Sequence, residues 1–458
     1  MTKTLEDKTY VFESERVPKA VASLAIPAVL SQLISLVYNM TDTFFVGQLN
    51  DPDQVAAVSL AAPLMLVLTA LANLFGIGSA STASRFFGAK DHDSAKRTTA
   101  FGFYCALAVA VLLSAAALFF PGFLLDILGS VGKTRTFTGD YLFLIFTLGA
   151  IPSLLSMVLS HYIRADGAPK TASIGLSVGG IINLILDPFF IFDFAFGMGV
   201  KGAALATLIA NTFTLAYFLR YFFVSRKDAI VSLHPRWFTF KREISLQVLV
   251  TGLPGMLQTL LASVSNTMLN QLAKGYGSEV VAAMGIVKKI DTIPMSVTIG
   301  IAQGVMPLLG YNYAAKNSRR MRDVVKFSLL LAVGFSIVCV AVFQIFTFSF
   351  INLFIREATT VSHGVFFLRV MSVSTPLMAV GFLMITLFQA AGVSRPALIL
   401  SVLRKGLVDI PLMLAFNAIF PLFGLAFVQP ATELIAMLAA AIFYIRFSKR
   451  ISLSNLMI

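Results

Sequence analysis

The chain has 458 residues, 57% hydrophobic and only 12% charged, with a mean hydropathy of +0.85. This is the balance of an integral membrane protein, and it excludes a transmembrane β-barrel, whose strands would alternate apolar and polar residues over segments of about 11 residues. The formal charge of +13 would raise nucleic acid as a partner for a soluble protein, so the positions of Lys and Arg decide what it means.

A bilayer-spanning helix needs about 20 mostly apolar residues, because the hydrocarbon core is roughly 30 Å thick and each helical residue rises about 1.5 Å. Twelve stretches meet that requirement: 18–46, 54–82, 98–121, 140–162, 172–195, 199–223, 245–273, 280–309, 325–350, 364–389, 396–420 and 423–447. The fold class expected is therefore an all-α polytopic membrane protein with twelve transmembrane helices.

Residues 1–17 form a polar leading segment in which no cleavable signal peptide is expected. Span 1 has no charge from Ala20 to Thr41 and then carries Asp42 in "LVYNMTDTFFVG" (36–47). A carboxylate deep in a membrane helix costs about 2.5 to 3.5 kcal/mol on insertion scales, so such residues usually face a cavity or a partner. The alternative is that Asp42 caps the outer end of the span, but Phe44, Phe45 and Val46 extend the apolar run beyond it. Pro27, early in the same helix, is a candidate hinge, or simply a helix-start signal.

Cys105 and Cys339 fall inside spans 3 and 9, where a thiol acts as a small apolar group, so neither a disulfide nor a metal site is expected. "GSVGKT" (129–134), between spans 3 and 4, is not a phosphate-binding loop: Ile127 stands where its first glycine belongs. With no HExxH, CxxC or nucleophile elbow either, neither an enzyme nor an ATP-driven pump is expected.

Span 5 carries the second carboxylate, in "GGIINLILDPFFIF" (179–192). Asn183 and Asp187 are four residues apart and share a helix face, and Pro188 leaves a carbonyl near Leu184 without its amide donor. This is either an ion site or a polar patch that joins helices by hydrogen bonds. In the later spans, Lys405 and Asp409 are spaced for mutual neutralisation, Asp291 is placed to pair with Lys288 or Lys289, and Arg369 near the start of span 10 could snorkel to the interface.

The loops after even-numbered spans hold Arg85, Lys90, Lys96, Arg97, Arg164, Lys170, Arg226, Lys227, Arg236, Lys241, Arg242, Lys316, Arg319, Arg320, Arg322, Lys326 and Arg395. The opposite loops hold only Lys133, Arg135, Lys201, Lys274 and Arg356. By the positive-inside rule both termini are cytoplasmic, and the basic balance reports orientation, not nucleic acid.

The chain also repeats itself. "IPAVLSQ" (26–32) matches "LPGMLQT" (253–259), "VAAV" (55–58) matches "VAAM" (281–284), and "GAKD" (88–91) matches "AAKN" (314–317), so Pro27 and Pro254 occupy equivalent places. The domain reading is a cytoplasmic segment (1–17), an N-lobe of six spans (18–223), a cytoplasmic basic linker (224–243), a C-lobe of six spans (244–447) and a cytoplasmic tail (448–458). Halves with an even number of spans run the same way and are related by a pseudo-two-fold axis along the membrane normal, an arrangement typical of secondary transporters. Asp42 and Asp187 have no acidic counterpart in the second half, which points to an ion site in the first lobe.

With Asp42, Asn183, Asp187, the two halves, and the strings "DTFFVGQL" and "GYNYAAKN" in view, the chain resembles the multidrug and toxic compound extrusion (MATE) transporters, and within them the prokaryotic DinF-type branch. The resemblance implies a V-shaped two-lobed fold and export of organic cations or amphiphiles in exchange for H⁺ or Na⁺. It implies that Pro27 bends helix 1, that Asp42 faces Asn183 and Asp187, and that Tyr141 and Thr207 complete their hydrogen-bond network. No cofactor is expected beyond the coupling ion, H⁺ or Na⁺, the latter at Asp42, Asn183 and Asp187. The partners expected are amphiphilic or cationic small molecules and membrane lipids, for a monomer of the cytoplasmic (inner) membrane. The competing function is a flippase for a lipid-linked oligosaccharide, which would need basic residues in its cavity. Arg369, Arg404 and Lys405 keep that reading open, and accumulation of cargo or of lipid intermediate in cells separates the two.

Overall fold

The computed structural model describes residues 5–49, 51–224 and 229–456, and Arg226 and Lys227 of the expected linker lie outside them. Among the described residues all regular structure is helical. A short helix α1 (Leu5–Glu13) precedes α2 (Val17–Gly47), α3 (Pro52–Gly88) and α4 (His92–Phe119). A turn of helix, α5 (Pro121–Ile127), leads to α6 (Gly132–Leu142), a π-helical turn (Phe143–Leu148) and α7 (Ala150–Ala165). Then come α8 (Pro169–Ile191), α9 (Val200–Val224), α10 (Arg242–Lys274), α11 (Ser278–Ala314), α12 (Ser318–Ile345) and α13 (Thr347–Phe354). The chain ends with α14 (Ala358–Ser372), α15 (Thr375–Ala390), α16 (Ser394–Val402), a second π-helical turn (Leu403–Leu407), α17 (Asp409–Ile419) and α18 (Gly424–Leu456).

Nine of these helices are long and apolar enough to cross a bilayer alone, and α6–α7 and α14–α15 qualify as bent pairs. The α16–α17 stretch completes the twelve spans; it carries Arg404, Lys405 and Asp409 and is interrupted by the second π turn. Leu112, Phe119, Leu330 and Leu353 are exposed on the outer faces, an arrangement that hydrocarbon solvates and water would not.

The bends are where sequence and structure part. Span 4 was expected over 140–162 but runs from Gly132 to Ala165 through the first π turn, with a 52° bend. At its centre sits Gly149, where a Cβ would lie 2.7 Å from the Ile145 carbonyl oxygen and 2.8 Å from that of Leu144, so only glycine lets the turn tighten. Span 10 begins at Ala358, not 364, and bends by 46° between Ser372 and Thr375. The first break lies inside apolar sequence, where composition gives little sign of it, whereas Ser372, Ser374, Thr375 and Pro376 mark the second.

The leading segment also forms structure. In α1, Phe12 is buried edge-on to Phe87, and the buried Lys8 ammonium meets Asp166 at 2.7 Å. Asp166 accepts further bonds from the Tyr221 hydroxyl and the Ile230 amide, yet burial holds its carboxyl above the ordinary range.

The chain forms two compact units. The first comprises residues 1–14 and 30–256, the second residues 15–29 and 257–458. Helices α2 and α10 therefore each change units along their length, at Val29/Leu30 and Met256/Leu257, just after the equivalent prolines Pro27 and Pro254. In the first unit α3 packs on α4, α6 and α7, and α8 packs on α9. In the second, α11 packs against α12, α14 and α15. Its Gly300 and Gly304 admit the backbone of Val29 and Ala25, which a Cβ would meet at 2.6 and 2.7 Å.

Candidate cation-coupling site

The site in the first unit grows from one stripe of α8. Gly175, Gly179, Asn183 and Asp187 recur every four residues and so line one face. The two glycines bring α9 close: a Cβ on Gly179 would stand 2.1 Å from Thr214 Oγ1, and one on Gly175 2.2 Å from the Phe218 ring. Small residues permit such approach between membrane helices. Further along the stripe, the Asn183 side-chain amide donates to Asp187 Oδ1 at 3.2 Å and to Thr207 Oγ1 on α9 at 3.3 Å.

On the other side of α8, Gly180 accepts α2, with Tyr38 Cδ1 at 2.9 Å and Ile34 Cγ2 at 3.4 Å from the position of a Cβ. Ile34, Tyr38 and Asp42 share a face of α2, so Asp42 lies one turn beyond the contact, as Asp187 lies two turns beyond Gly180. The two carboxylates are close enough for their charges to interact, and both act on the buried Tyr141, the penultimate residue of α6. Helix α2 continues to Gly47, so Asp42 is inside the helix and not its cap. Asp42, Tyr141, Asn183, Asp187 and Thr207 are thus gathered from four helices of one unit. Pro27 lies on the part of α2 that belongs to the second unit.

The hydrogen-bond inventory of this cluster is lopsided. Asp42 Oδ1, Asn183 Oδ1 and Asp187 Oδ2 are buried and have no partner among the described residues. All three are acceptors, and leaving each unsatisfied costs about 1 to 3 kcal/mol. A proton on either carboxylate, or a hard cation that prefers oxygen ligands, is what such a set of oxygens accepts. Beside it, toward the amino-terminal ends of α2 and α8, a cavity of about 280 Å³ is lined by Leu30, Leu33, Ile34, Val37, Tyr38, Gly180, Ile181 and Leu184, almost wholly apolar.

The charges of the second unit are arranged otherwise than expected. Among the described residues Asp291 makes no contact ion pair with Lys288 or Lys289: it accepts from Gln429 Nε2 at 2.8 Å and Thr375 Oγ1 at 3.4 Å, while Lys288 donates to Gln429 Oε1 at 2.9 Å. Lys405 and Asp409 form no ion pair either, because the π turn between them breaks the four-residue register, and Asp409 accepts from Ser265. Arg369 lies in the last turn of α14 and donates to Thr347 Oγ1 at 3.4 Å. Arg404 is fully buried in a bidentate pair with Glu433, at 2.9 and 2.8 Å, and stacks over Phe382 at 4.3 Å. Sequence reasoning missed Glu433 and Gln429. The signal was present in "QPATEL" (429–434), a polar run inside an apolar span, but its partners are distant in the chain.

The MatE family model matches the chain twice, over residues 27–189 and 254–414, which is the internal repeat. The chain belongs to the MATE family. It is 32% identical over 435 residues to the multidrug export protein MepA of Staphylococcus saprophyticus, covering 95% of each, and 32% identical over 437 residues to MepA of Staphylococcus aureus, again with 95% of each covered. Among solved structures, the outward-facing conformation of a multidrug resistance MATE family transporter of the MOP superfamily has the same fold, with a TM-score of 0.91, 24% identity and 99% of each chain covered. This MATE chain is thus a multi-pass membrane transporter of the multidrug efflux kind.

Proposed function

We propose that the protein is a secondary active exporter that exchanges H⁺ or Na⁺ for organic cations or other amphiphiles by alternating access, with the coupling site in the first unit. The observation that carries this reading is the set of three buried, partnerless acceptor oxygens on Asp42, Asn183 and Asp187. Two neighbouring carboxylates in a low-dielectric setting repel, and a bound proton or Na⁺ relieves that repulsion and fills the vacant acceptor positions. Thr207 and Tyr141 add hydroxyls that can turn toward whichever species is bound. Tyr38 joins the acid pair to the apolar cavity, so an amphiphile with its ring in the cavity would place its cationic head near the same carboxylates. Ion and cargo then compete for one negative centre, which is the minimum requirement for exchange.

The change of units just after Pro27 supports a hinge in α2 that carries the charge state of Asp42 to the rest of the helix. We take the molecule as a monomer of the cytoplasmic membrane with both termini cytoplasmic, following the Lys/Arg distribution. Of the three basic residues that favoured a flippase, Arg404 is neutralised by Glu433, which weakens that reading. The test is export of ethidium from proteoliposomes energised separately with a pH gradient and a sodium gradient. At least one gradient should drive ethidium uphill; failure of both removes the proposal.

A further inference from the structure

The stretch between α9 and α10 reads in sequence as a basic linker, but from Ser232 onward it is fastened along α4. Thr99 Oγ1 stands 3.1 Å from the Ser232 carbonyl oxygen and accepts from the Ser232 amide at 3.0 Å, and the Tyr104 hydroxyl donates to the Leu233 carbonyl at 3.0 Å. After a 3₁₀ turn over Pro235–Trp237, Phe238 packs edge-on against Tyr104 at 5.5 Å and Phe240 edge-on against Phe101 at 6.0 Å. Phe101 and Tyr104 lie within the third span, so these rings sit where hydrocarbon begins. Phe240 is left 73% exposed, which lipid solvates and water does not.

At the same end of α4, Lys96 Nζ stands 5.4 Å and the Arg236 guanidinium 5.1 Å from the centre of the Trp237 ring. A ring face attracts a cation but leaves its N–H groups in need of an acceptor. Among the described residues neither side chain donates a hydrogen bond or joins an ion pair, and the same holds for Arg97, Lys241 and Arg242. Asp91, Asp93 and Glu243, the described acids next to them in the chain, form no ion pair with them. Cations without counterions, held by a fixed backbone beside aromatic rings at the edge of the hydrocarbon, describe a place for a lipid phosphate.

We propose that Lys96, Arg236 and Trp237 form a headgroup site for an anionic phospholipid, whose phosphodiester accepts from the ammonium and the guanidinium while its acyl chains run over Phe240. A zwitterionic headgroup brings an ammonium of its own, which these cations repel, so a phosphatidylglycerol headgroup fits better. A soluble acidic partner would leave Phe240 uncovered.

Trp237 is the only tryptophan of the chain, so its fluorescence reports the site without a label. The full-length protein is reconstituted in vesicles of phosphatidylcholine with phosphatidylglycerol, and bromine on the acyl chains of one lipid or the other quenches the indole. Brominated phosphatidylglycerol should quench at about tenfold lower mole fraction than brominated phosphatidylcholine, because each unpaired cation favours the anionic lipid several-fold. Arg236→Gln, at an exposed position, should reduce that preference, and Lys96→Gln with Arg236→Gln should bring the two lipids level. Lys96→Arg with Arg236→Lys should keep most of it, and Lys170→Gln with Arg395→Gln, exposed charges on other loops, should leave it unchanged. Equal quenching by both lipids in the wild type, or a preference that survives the double glutamine variant, overturns the proposal. So does an equal loss in the Lys170 and Arg395 variant, which would assign the preference to diffuse surface charge. Loss of the preference in inorganic phosphate but not in chloride of the same ionic strength overturns it too, by making the ligand a soluble phosphate.

Discussion

Gly179→Ala is the substitution for which the geometry makes the sharpest statement about the first unit. The new Cβ would fall 2.1 Å from Thr214 Oγ1, far inside the 3.4 Å of ordinary contact, and 3.3 Å from the Ala210 carbonyl oxygen. Thr214 is buried and its hydroxyl is held by the Ala210 carbonyl at 2.9 Å, so it cannot swing clear without giving up that bond. The economical response is for α8 and α9 to part by roughly 1 Å, and overpacking of this kind costs about 1 to 3 kcal/mol. The Asn183 to Thr207 bond, at 3.3 Å already near its limit, breaks with that separation. Its loss leaves the Asn183 amide less firmly aimed at Asp187, and hydrogen bonds involving charged groups are worth about 1.5 to 3 kcal/mol, so gradient-driven export should fall about 10- to 100-fold. The assay is initial-rate ethidium export in proteoliposomes matched for protein content, with the melting temperature in detergent as a check on folding. Thr214→Ala removes the obstructing oxygen, so the double variant should recover most of the export. Wild-type export from Gly179→Ala, or no recovery in the double variant, would refute the helix-spacing argument.

Other consequences can be checked independently. Arg404→Met or Glu433→Leu alone leaves a buried unpaired charge and should destabilise the protein by about 3 to 5 kcal/mol, whereas the double variant should melt near the wild type. Lys8→Ala breaks the buried pair with Asp166, so amide exchange over residues 5–13 should rise sharply while the membrane helices stay protected. Glu357 caps α14 by accepting from the Thr359 and Thr360 amides, which lowers its carboxyl from 4.5 to about 2. A depressed carboxyl contributes stability above its unfolded value and loses it as the pH falls toward the folded one. Exchange protection at the start of α14 should therefore decline between pH 4.5 and about 2, and Glu357→Gln should flatten that decline.

Much of the fold was legible because hydrophobic length is a direct requirement of the bilayer, and α2, α3, α8 and α9 fall close to the stretches read from sequence. The π turns were not, since Phe143–Leu148 is as apolar as its surroundings and the break shows only in Gly149 and the backbone. Within the site, Asn183 and Asp187 could be paired because four-residue spacing is local information. Thr207 and Tyr141 came only through the family resemblance, as nothing local ties them to α8. The second unit misled for the converse reason: Lys405 and Asp409 have the spacing of a pair, but a π turn cancels it, and the contacts that form run between spans, Asp409 to Ser265, Arg404 to Glu433 and Lys288 to Gln429. Leu5–Glu13 was read as a polar segment without a core, since the partner of Lys8 is 158 residues away.

The central claim is that a cation on the Asp42, Asn183 and Asp187 oxygens drives transport. Asp42→Asn keeps the shape of the side chain and removes its charge, so comparing it with the wild type under imposed pH and sodium gradients measures that claim most directly. The account predicts a protein that inserts and folds but no longer accumulates ethidium when either ion gradient is imposed. Uphill transport at the wild-type rate would contradict it.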